Sequence, residues 1–238
     1  MSQCRYSLAG VEVRYADHLA LEVDRLTIAD GELHLLMGAN GSGKTTLLST
    51  LAFLHKPDCG DLAFAGSPVT WTTKEVERLR RKVTLLHQHP YLFSGTVFSN
   101  VAFGPRVRKM RKLEIGCLVS ELLGIVGLKG FESRNSQQLS GGQAGRVALA
   151  RCLACKPEVL LLDEPLAQTD SESAEILVRL IASLPRKGIT VVMSSHDELL
   201  ARELRCNIIH LTKGRIVPPN DCHRIAASHG EDPRHGLP

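Results

Sequence analysis

A glycine-rich octapeptide near the start of the chain has residue types that bind phosphate. Gly38-Ala39-Asn40-Gly41-Ser42-Gly43-Lys44-Thr45 follows an apolar run, residues 33–37, and leads into residues 45–53, which are predicted to form a helix. A strand, a glycine turn and a helix start would direct backbone N–H groups and a helix dipole at an anion. We expect Lys44 to reach the β- and γ-phosphates of a nucleotide and the Thr45 hydroxyl to bind Mg²⁺. A chance glycine turn is the alternative for this loop taken alone. The predicted nucleotide contacts here are Gly38, Asn40, Gly41, Ser42, Gly43, Lys44, Thr45 and Thr46.

Two adjacent carboxylates follow a second apolar run. Val159–Leu162 has the pattern of a parallel strand buried on both faces, and Asp163, Glu164 and Pro165 come directly after it. Open α/β sheets bind their ligands at this end of the strands. We therefore predict that Asp163 holds Mg²⁺ and that Glu164 orients or deprotonates an attacking water. A solvated turn is the alternative, which the apolar lead-in and Pro165 disfavour.

Two further polar residues stand at the ends of predicted strands. His196 follows residues 189–195, which are predicted to form another buried strand, and Gln88 lies just after Val83–Leu86. The same edge of the sheet would place His196 near the γ-phosphate and Gln88 near both the metal and the water. A core or surface histidine is the alternative for His196. His87 and His89 are interpreted as ordinary loop residues, since no third ligand lies at metal spacing.

A second helix start with anion-binding character lies about a hundred residues beyond the first. In Leu139–Gln143, Ser140 and Gln143 have the spacing of a capping box, and the helical run 147–151 follows. Gly141 and Gly142 would let a phosphate approach the backbone closely. One nucleotide does not need two such sites from a single chain. Two chains placed head to tail would give each nucleotide one of each, which predicts a symmetric dimer. A capped helix with a flexible entry is the alternative.

In this order the motifs resemble those of the ATP-binding subunits of ABC transporters, over almost the whole chain. The matching positions are Gly38–Thr45 for the Walker A motif, Gln88 for the Q-loop, Leu139–Gln143 for the signature, Val159–Asp163 for the Walker B motif, Glu164 for the catalytic glutamate and His196 for the switch histidine. The resemblance implies Mg²⁺-dependent ATP hydrolysis. It also implies that the Tyr15 ring stacks on adenine.

Two positions depart from the usual pattern of this family. Gly145 stands where glutamine is common, and a glycine in the first helical turns costs about 0.5–1 kcal/mol relative to alanine. The segment after the Walker B strand reads Leu166-Ala167-Gln168-Thr169-Asp170 instead of the usual Ser-Ala-Leu-Asp. Asp170 stands at the position of the aspartate in that pattern. The resemblance therefore implies that Ser140, Gly141, Gly142, Gln143 and Asp170 contact ATP bound by the partner chain.

Composition limits the class of protein. Apolar residues make up 43% of the chain, which suffices for one large α/β core, and the net charge of +4 is too small to indicate nucleic-acid binding. No run approaches the ~18 apolar residues of a membrane span, and Met1–Arg5 lacks a signal-peptide pattern. Seven cysteines without such a signal predict free thiols in a reducing compartment. Cys152 and Cys155 form a C-x-x-C without a second pair, so helix packing is favoured over a metal or redox role.

These patterns together predict the fold. We expect a P-loop NTPase core of the α/β class, with a mostly parallel sheet, an N-terminal antiparallel part and a helical subdomain that carries the signature. One ATPase domain would span residues 1–217, with a core at 1–89 and 156–217 and the subdomain at about 90–155. A β-hairpin is predicted over 208–217 and a short flexible tail over 218–238.

The predicted function is that of an ATPase subunit that drives transport through separate permease subunits, at the cytoplasmic face of the cell membrane. An aromatic cluster at 90–98 is either subdomain core or a docking surface for the permease. An extracytoplasmic solute-binding protein would be an indirect partner. The run 88–104 resembles cassettes that import tungstate or related oxyanions. Export, lipoprotein release and cell division stay open as alternatives, and a P-loop GTPase or kinase is remote because the guanine motif is missing.

Overall fold

The structure is a computed structural model that describes residues 4–167, 169–204 and 206–217. The predicted tail and Gln168 lie outside the described residues. The strands are β1 (Cys4–Tyr15), β2 (His18–Ala29), β3 (Leu33–Met37), β4 (Cys59–Phe64), β5 (Ser67–Pro68), β6 (Val83–Leu86), β7 (Val159–Leu162), β8 (Thr190–Ser195), β9 (Asn207–Thr212) and β10 (Arg215–Val217). The helices are α1 (Lys44–Leu51), α2 (Thr73–Arg80), α3 (Val97–Val101), α4 (Phe103–Val107), α5 (Lys112–Ile125), α6 (Gly141–Ala154), α7 (Ser171–Ser183) and α8 (Glu198–Leu204).

All ten of these strands join one sheet in the order β5-β4-β1-β2-β10-β9-β3-β8-β7-β6. Its central part, β9-β3-β8-β7-β6, is parallel throughout. Every residue of β3, β7 and β8 is buried, as expected for strands covered by helices on both faces. The predicted α/β class is confirmed, and the short apolar runs form the strands predicted for them.

The remaining strands pair antiparallel, except that β10 lies parallel to β2. β1 pairs with β2 and β4, and β5 extends this edge. At the other end of the chain, β9 and β10 form the predicted hairpin. Lys213 and Gly214 connect them with φ values of 48° and 81°, the positive values that a tight hairpin turn of this kind requires. The Gly214 N–H donates to the Ser42 carbonyl at 2.9 Å, which brings this hairpin against the glycine-rich loop.

Two hydrophobic cores lie on opposite faces of the sheet. One packs α1 and the antiparallel strands together and includes Tyr6, whose hydroxyl donates to the Leu51 carbonyl at 2.9 Å. The other packs α3, α5, α6 and α7 against the parallel strands. Between β6 and β7 the described chain is helical, from α3 to α6. The second core therefore connects the helix that follows the signature to β7 and β8, which end at Leu162 and Ser195.

No helix in the described ranges has the length and apolarity needed to cross a membrane.

Candidate nucleotide-binding site

The glycine-rich loop runs from the end of β3 to the start of α1, as predicted. Two of its glycines lie where a side chain would collide with backbone. A Cβ atom on Gly38 would lie 2.2 Å from the Leu211 carbonyl oxygen, and one on Gly43 would lie 2.9 Å from the Ala20 carbonyl oxygen. Gly43 also has φ of 103°, which non-glycine residues avoid. The loop therefore needs glycine at both positions to pack against β2 and the β9–β10 hairpin.

Lys44 begins α1, and its side chain is only 5% exposed. The ammonium group donates to the carbonyls of Gly38 at 2.8 Å and Ala39 at 3.2 Å. It also lies 3.4 Å from Glu164 Oε1. A buried cation at the positive end of a helix is a suitable partner for a phosphate. The geometry therefore supports the predicted phosphate role of Lys44.

Thr45 and Asp163 come together as the predicted metal-holding pair. The Thr45 hydroxyl donates to Asp163 Oδ2 at 2.8 Å, and Asp163 is buried. A hydroxyl and a carboxylate are hard oxygen donors of the kind that Mg²⁺ prefers, and Mg²⁺ takes its other ligands from water and phosphate. Within the described residues no cluster of three or more His, Cys, Asp or Glu could hold a metal by itself. The donor set therefore fits Mg²⁺ that is bound together with a nucleotide.

Glu164 lies at the centre of the predicted catalytic residues. Its carboxylate accepts a hydrogen bond from Gln88 Nε2 at 3.3 Å, and His196 Nδ1 is 3.6 Å from the same oxygen. Lys44 is near the other oxygen. The side chain is 11% exposed, and its backbone has φ of 43°, a conformation that is costly for a residue with a side chain. The structure thus brings together Lys44, Gln88, Glu164 and His196.

Ser194 was missed by the sequence analysis. It belongs to the buried strand β8, and its hydroxyl donates to Asp163 Oδ1 at 2.7 Å. The Ser194 Oγ also accepts the Glu164 backbone N–H at 2.8 Å. The sequence did contain a sign of this role, namely a serine within a predicted buried strand. A polar side chain in a central strand requires a buried hydrogen-bond partner.

An open cavity of about 340 Å³ adjoins these residues. Its lining residues are Tyr15, His18, Ala20, Asn40, Gly41, Gly43, Lys44, Thr45, Thr46, Gln88 and Glu164. Tyr15 is 48% exposed, and its ring centroid lies 5.2 Å from that of His55. An exposed ring at the cavity wall can stack on a base. Seven of the nine predicted nucleotide contacts line this cavity, together with His18 and Ala20. Gly38 and Ser42 are the two that do not, and the Ser42 Oγ is buried without a hydrogen-bond partner among the described residues.

The signature forms a capped helix start, as its spacing predicts. The Ser140 hydroxyl accepts the Gln143 N–H at 3.3 Å, and the Gln143 side chain accepts the Ser140 N–H at 3.2 Å. In the described chain none of the residues 140–143 lines the cavity beside Lys44. A single chain therefore keeps its signature away from its own glycine-rich loop.

Asp170 has a contact within its own chain that the sequence analysis did not predict. It caps α7 by accepting the Ser173 N–H at 2.9 Å. Its other carboxylate oxygen would be 3.2 Å from a Cβ atom on Gly142, so the signature packs closely against it. Hydrogen bonds from Ser173 hold the pKa of Asp170 below its usual value. A contact from Asp170 to the partner chain stays a prediction.

The two cysteines of the C-x-x-C sequence lie in or just after α6. Burial raises the pKa of Cys152 to about 12, and burial also raises the pKa of Cys155. Thiol chemistry requires the thiolate, which a raised pKa suppresses. Both cysteines are free thiols. Their environment is that of packing residues.

Comparison with known proteins places the chain in a family. A sequence model of the family described as "ABC transporter" matches residues 21–167. The chain is 43% identical over 211 residues to the sulfate/thiosulfate import ATP-binding protein CysA of Mycobacterium tuberculosis, with 88% of this chain and 59% of that protein covered. It is 38% identical over 200 residues to the energy-coupling factor transporter ATP-binding protein EcfA of Methanothermobacter thermautotrophicus, covering 83% of this chain and 64% of that protein. The chain belongs to the ABC transporter family.

Solved structures agree with this assignment. The fold matches cbiO1 of Clostridium perfringens, part of the ABC transporter complex cbiONQ, with a TM-score of 0.83, 28% identity, and 95% and 92% of the two chains covered. It also matches the bacterial ABC transporter cassette MJ0796, solved as a dimer, with a TM-score of 0.82, 32% identity, and 90% and 97% covered. The chain spans about 59% of the length of the first curated relatives that it matches.

Proposed function

We propose that this chain is an ATP-hydrolysing subunit that drives solute transport through separate permease subunits. The observation that carries the proposal is the convergence of Lys44, Gln88 and His196 on Glu164, beside the hydrogen-bonded pair of Thr45 and Asp163. These groups come from four different segments and meet at the carboxyl ends of the parallel strands. That edge is where an α/β sheet binds and transforms its ligand.

The chemistry that we propose follows from these positions. Backbone N–H groups of the glycine-rich loop and Lys44 would bind the phosphates. Thr45 and Asp163 would hold Mg²⁺, with Gln88 nearby, and the bound ion would neutralise charge on the phosphates. Glu164 would take a proton from the attacking water, and His196 would contact the γ-phosphate. The Tyr15 ring would stack on adenine at the open end of the cavity.

We propose that the active form is a head-to-tail dimer. The signature lies outside the cavity of its own chain, and its glycines and capped helix start are suited to an anion. A second copy would bring Ser140, Gly141, Gly142 and Gln143 to the nucleotide, with Asp170 adjacent. The neighbour MJ0796 was solved as a dimer.

We propose the helical segment as the part that contacts the membrane subunits. Three of its aromatic residues are exposed: Tyr91 by 72%, Phe93 by 41% and Phe103 by 49%. Phe93 lies between the other two, with ring centroids 6.1 Å and 4.8 Å away. A patch of exposed rings that follows directly after Gln88 can link a permease to the catalytic residues. The chain would then act at the cytoplasmic face of the membrane. We also propose that residues 1–89 and 156–217 form the core and that residues from about 90 to 155 form the subdomain.

We propose import of a small oxyanion as the transport reaction, with an extracytoplasmic solute-binding protein as an indirect partner. The relatives named as sulfate/thiosulfate import proteins support an oxyanion. Tungstate is the particular anion that we favour, from the run 88–104. Export, lipoprotein release or cell division is the alternative, and the relative named as an energy-coupling factor transporter protein has no oxyanion in its name.

The test has two stages. The purified chain should hydrolyse ATP in the presence of Mg²⁺ and lose this activity in EDTA. A purified chain that does not hydrolyse ATP with Mg²⁺ present would contradict the ATPase assignment. The chain is then reconstituted in vesicles with its permease subunits. Its rate of ATP hydrolysis should rise when a binding protein loaded with tungstate, molybdate or sulfate is added. Stimulation by a different solute class alone would contradict the oxyanion proposal and leave the ATPase assignment in place.

A further inference from the structure

One buried hydroxyl contacts both the proposed metal ligand Asp163 and the proposed general base Glu164. Ser194 is fully buried in β8, where its neighbours along the strand are apolar or buried. A buried hydroxyl is unfavourable unless it makes hydrogen bonds. Ser194 makes two, and both are directed toward the proposed catalytic residues and away from its own strand.

The first bond orients the carboxylate that would hold the metal. Ser194 Oγ donates to Asp163 Oδ1 at 2.7 Å, while Asp163 Oδ2 accepts from Thr45 at 2.8 Å. A hydroxyl–carboxylate bond is charge-assisted and stronger than a neutral one. Each carboxylate oxygen thus has its own partner. The rotation of the Asp163 side chain is therefore fixed, with Oδ2 on the side of the glycine-rich loop.

The second bond holds the backbone of the proposed general base. The Glu164 N–H donates to Ser194 Oγ at 2.8 Å. Glu164 has φ of 43°, a sparsely populated conformation that persists only where surrounding contacts support it. This conformation directs the side chain toward Lys44 and Gln88, which it contacts. Without the acceptor, this partly buried N–H would lose its partner.

We propose that Ser194 is a positioning residue for ATP hydrolysis, which fixes the Asp163 carboxylate and the Glu164 backbone through a single hydroxyl. This inference rests on the proposed ATPase function and adds a residue that acts through two others. Groups that orient metal ligands or catalytic residues in this way typically change activity by about 10–100-fold when removed.

The experiment compares Ser194→Thr with Ser194→Val. The two replacements have the same shape, both suit a strand, and only threonine retains the hydroxyl. We expect Ser194→Val to lower kcat by about 10–100-fold with little change in KM for ATP, and Ser194→Thr to retain most of the activity. Ser194→Ala removes the hydroxyl without adding volume. It tests the same expectation against the unmodified chain if the added methyl group prevents folding.

Thr190→Val is the matched control. Thr190 is a fully buried residue at the other end of β8, and its hydroxyl makes the same pair of bonds. It donates to Asp30 Oδ1 at 3.0 Å and accepts the Gly31 N–H at 2.9 Å. We expect Thr190→Val to lower the melting temperature without lowering kcat. A loss of kcat equal to that of Ser194→Val would show a general effect of strand damage and overturn the proposal.

Amide hydrogen exchange gives a readout that needs neither nucleotide nor metal. In the free chain the Glu164 amide should exchange faster in Ser194→Val, or in Ser194→Ala, than in the hydroxyl-bearing forms. Equal exchange and equal kcat in an active chain would overturn the positioning role alone. An unmodified chain that does not hydrolyse ATP would overturn the proposed function, and the positioning role with it.

Discussion

The side chains of Thr45 and Asp163 are hydrogen-bonded at 2.8 Å, although 118 residues separate them in the chain. The bond joins the first turn of α1 to the end of β7. β8 lies between β7 and β3, the strand that leads into α1, so the contact crosses a strand of the sheet. Substitution of either residue therefore tests the proposed Mg²⁺ site directly.

Replacing Thr45 separates the effect of its hydroxyl from that of its shape. We expect Thr45→Val to lower Mg²⁺-dependent ATP hydrolysis at least about tenfold, because one hard oxygen donor is lost, while Thr45→Ser retains most of the activity. The measurement is the ATPase rate over a range of Mg²⁺ concentrations, with EDTA as the zero point. Equal rates for the valine and serine variants would contradict a metal role for this hydroxyl.

The central strands could be predicted from the sequence, and the structure shows why. The runs in β3, β6 and β7 are short and mostly apolar, with one polar residue each in β3 and β6, which is typical of strands in a parallel sheet covered by helices. The strand-end rule then placed Gln88, Asp163, Glu164 and His196 at one edge. Helix bounds were less accurate: the segment predicted over 45–53 forms a helix over Lys44–Leu51, and Phe53 has φ of 60°.

Contacts that depend on strand order could not be predicted. Ser194 reaches Asp163 because β7 and β8 are neighbours, and no periodicity in the sequence records that pairing. Likewise Asp170 lies against Gly142 because α7 begins beside the signature. A pattern identifies which residues end a strand. The register between strands decides which of their side chains touch.

Glu164→Gln is expected to slow turnover by about 10²-fold or more, because the amide cannot accept the proton of the attacking water. ATP binding should persist, so that the variant accumulates as a nucleotide-bound dimer on size-exclusion chromatography. Glu77→Gln, an exposed position on α2, is the matched control and should behave as the unmodified chain. A Glu164→Gln variant with a normal rate would remove the general-base assignment.

The signature is tested by Ser140→Ala in mixed dimers. The change removes the capping hydroxyl that accepts the Gln143 N–H, so activity should fall while the isolated chain still binds ATP. In a dimer that pairs Ser140→Ala with an unmodified chain, the defect should appear at the nucleotide bound by the partner's glycine-rich loop. Placing Lys44→Ala in one chain or the other identifies which site remains active. A defect confined to the site containing the variant's own Lys44 would contradict sharing across the interface.

His34 is expected to make folding sensitive to mild acid. It is 4% exposed on β3, and its Nε2 has no hydrogen-bond partner among the described residues. Burial lowers the pKa of His34, and this outweighs the hydrogen bond with Ala29 and the charge of Glu32, which act in the opposite direction. The folded chain therefore binds this proton less readily than the unfolded chain, whose histidine has a pKa of about 6.5. The contribution of His34 to the free energy of unfolding is therefore fully present above that value. It is lost as the pH drops toward the lowered pKa of the folded state.

Replacing His34 by a residue that cannot be protonated should remove this part of the acid sensitivity. We expect the free energy of unfolding of His34→Leu, measured in urea at pH 7.5, 6.5 and 5.5, to fall less with decreasing pH than that of the unmodified chain. His87→Leu replaces an exposed histidine and is the matched control. A His34→Leu variant with the same loss of stability between pH 7.5 and 5.5 as the unmodified chain would show that other groups cause it. The depressed basicity of His34 would then have no measurable part in the stability of the central sheet.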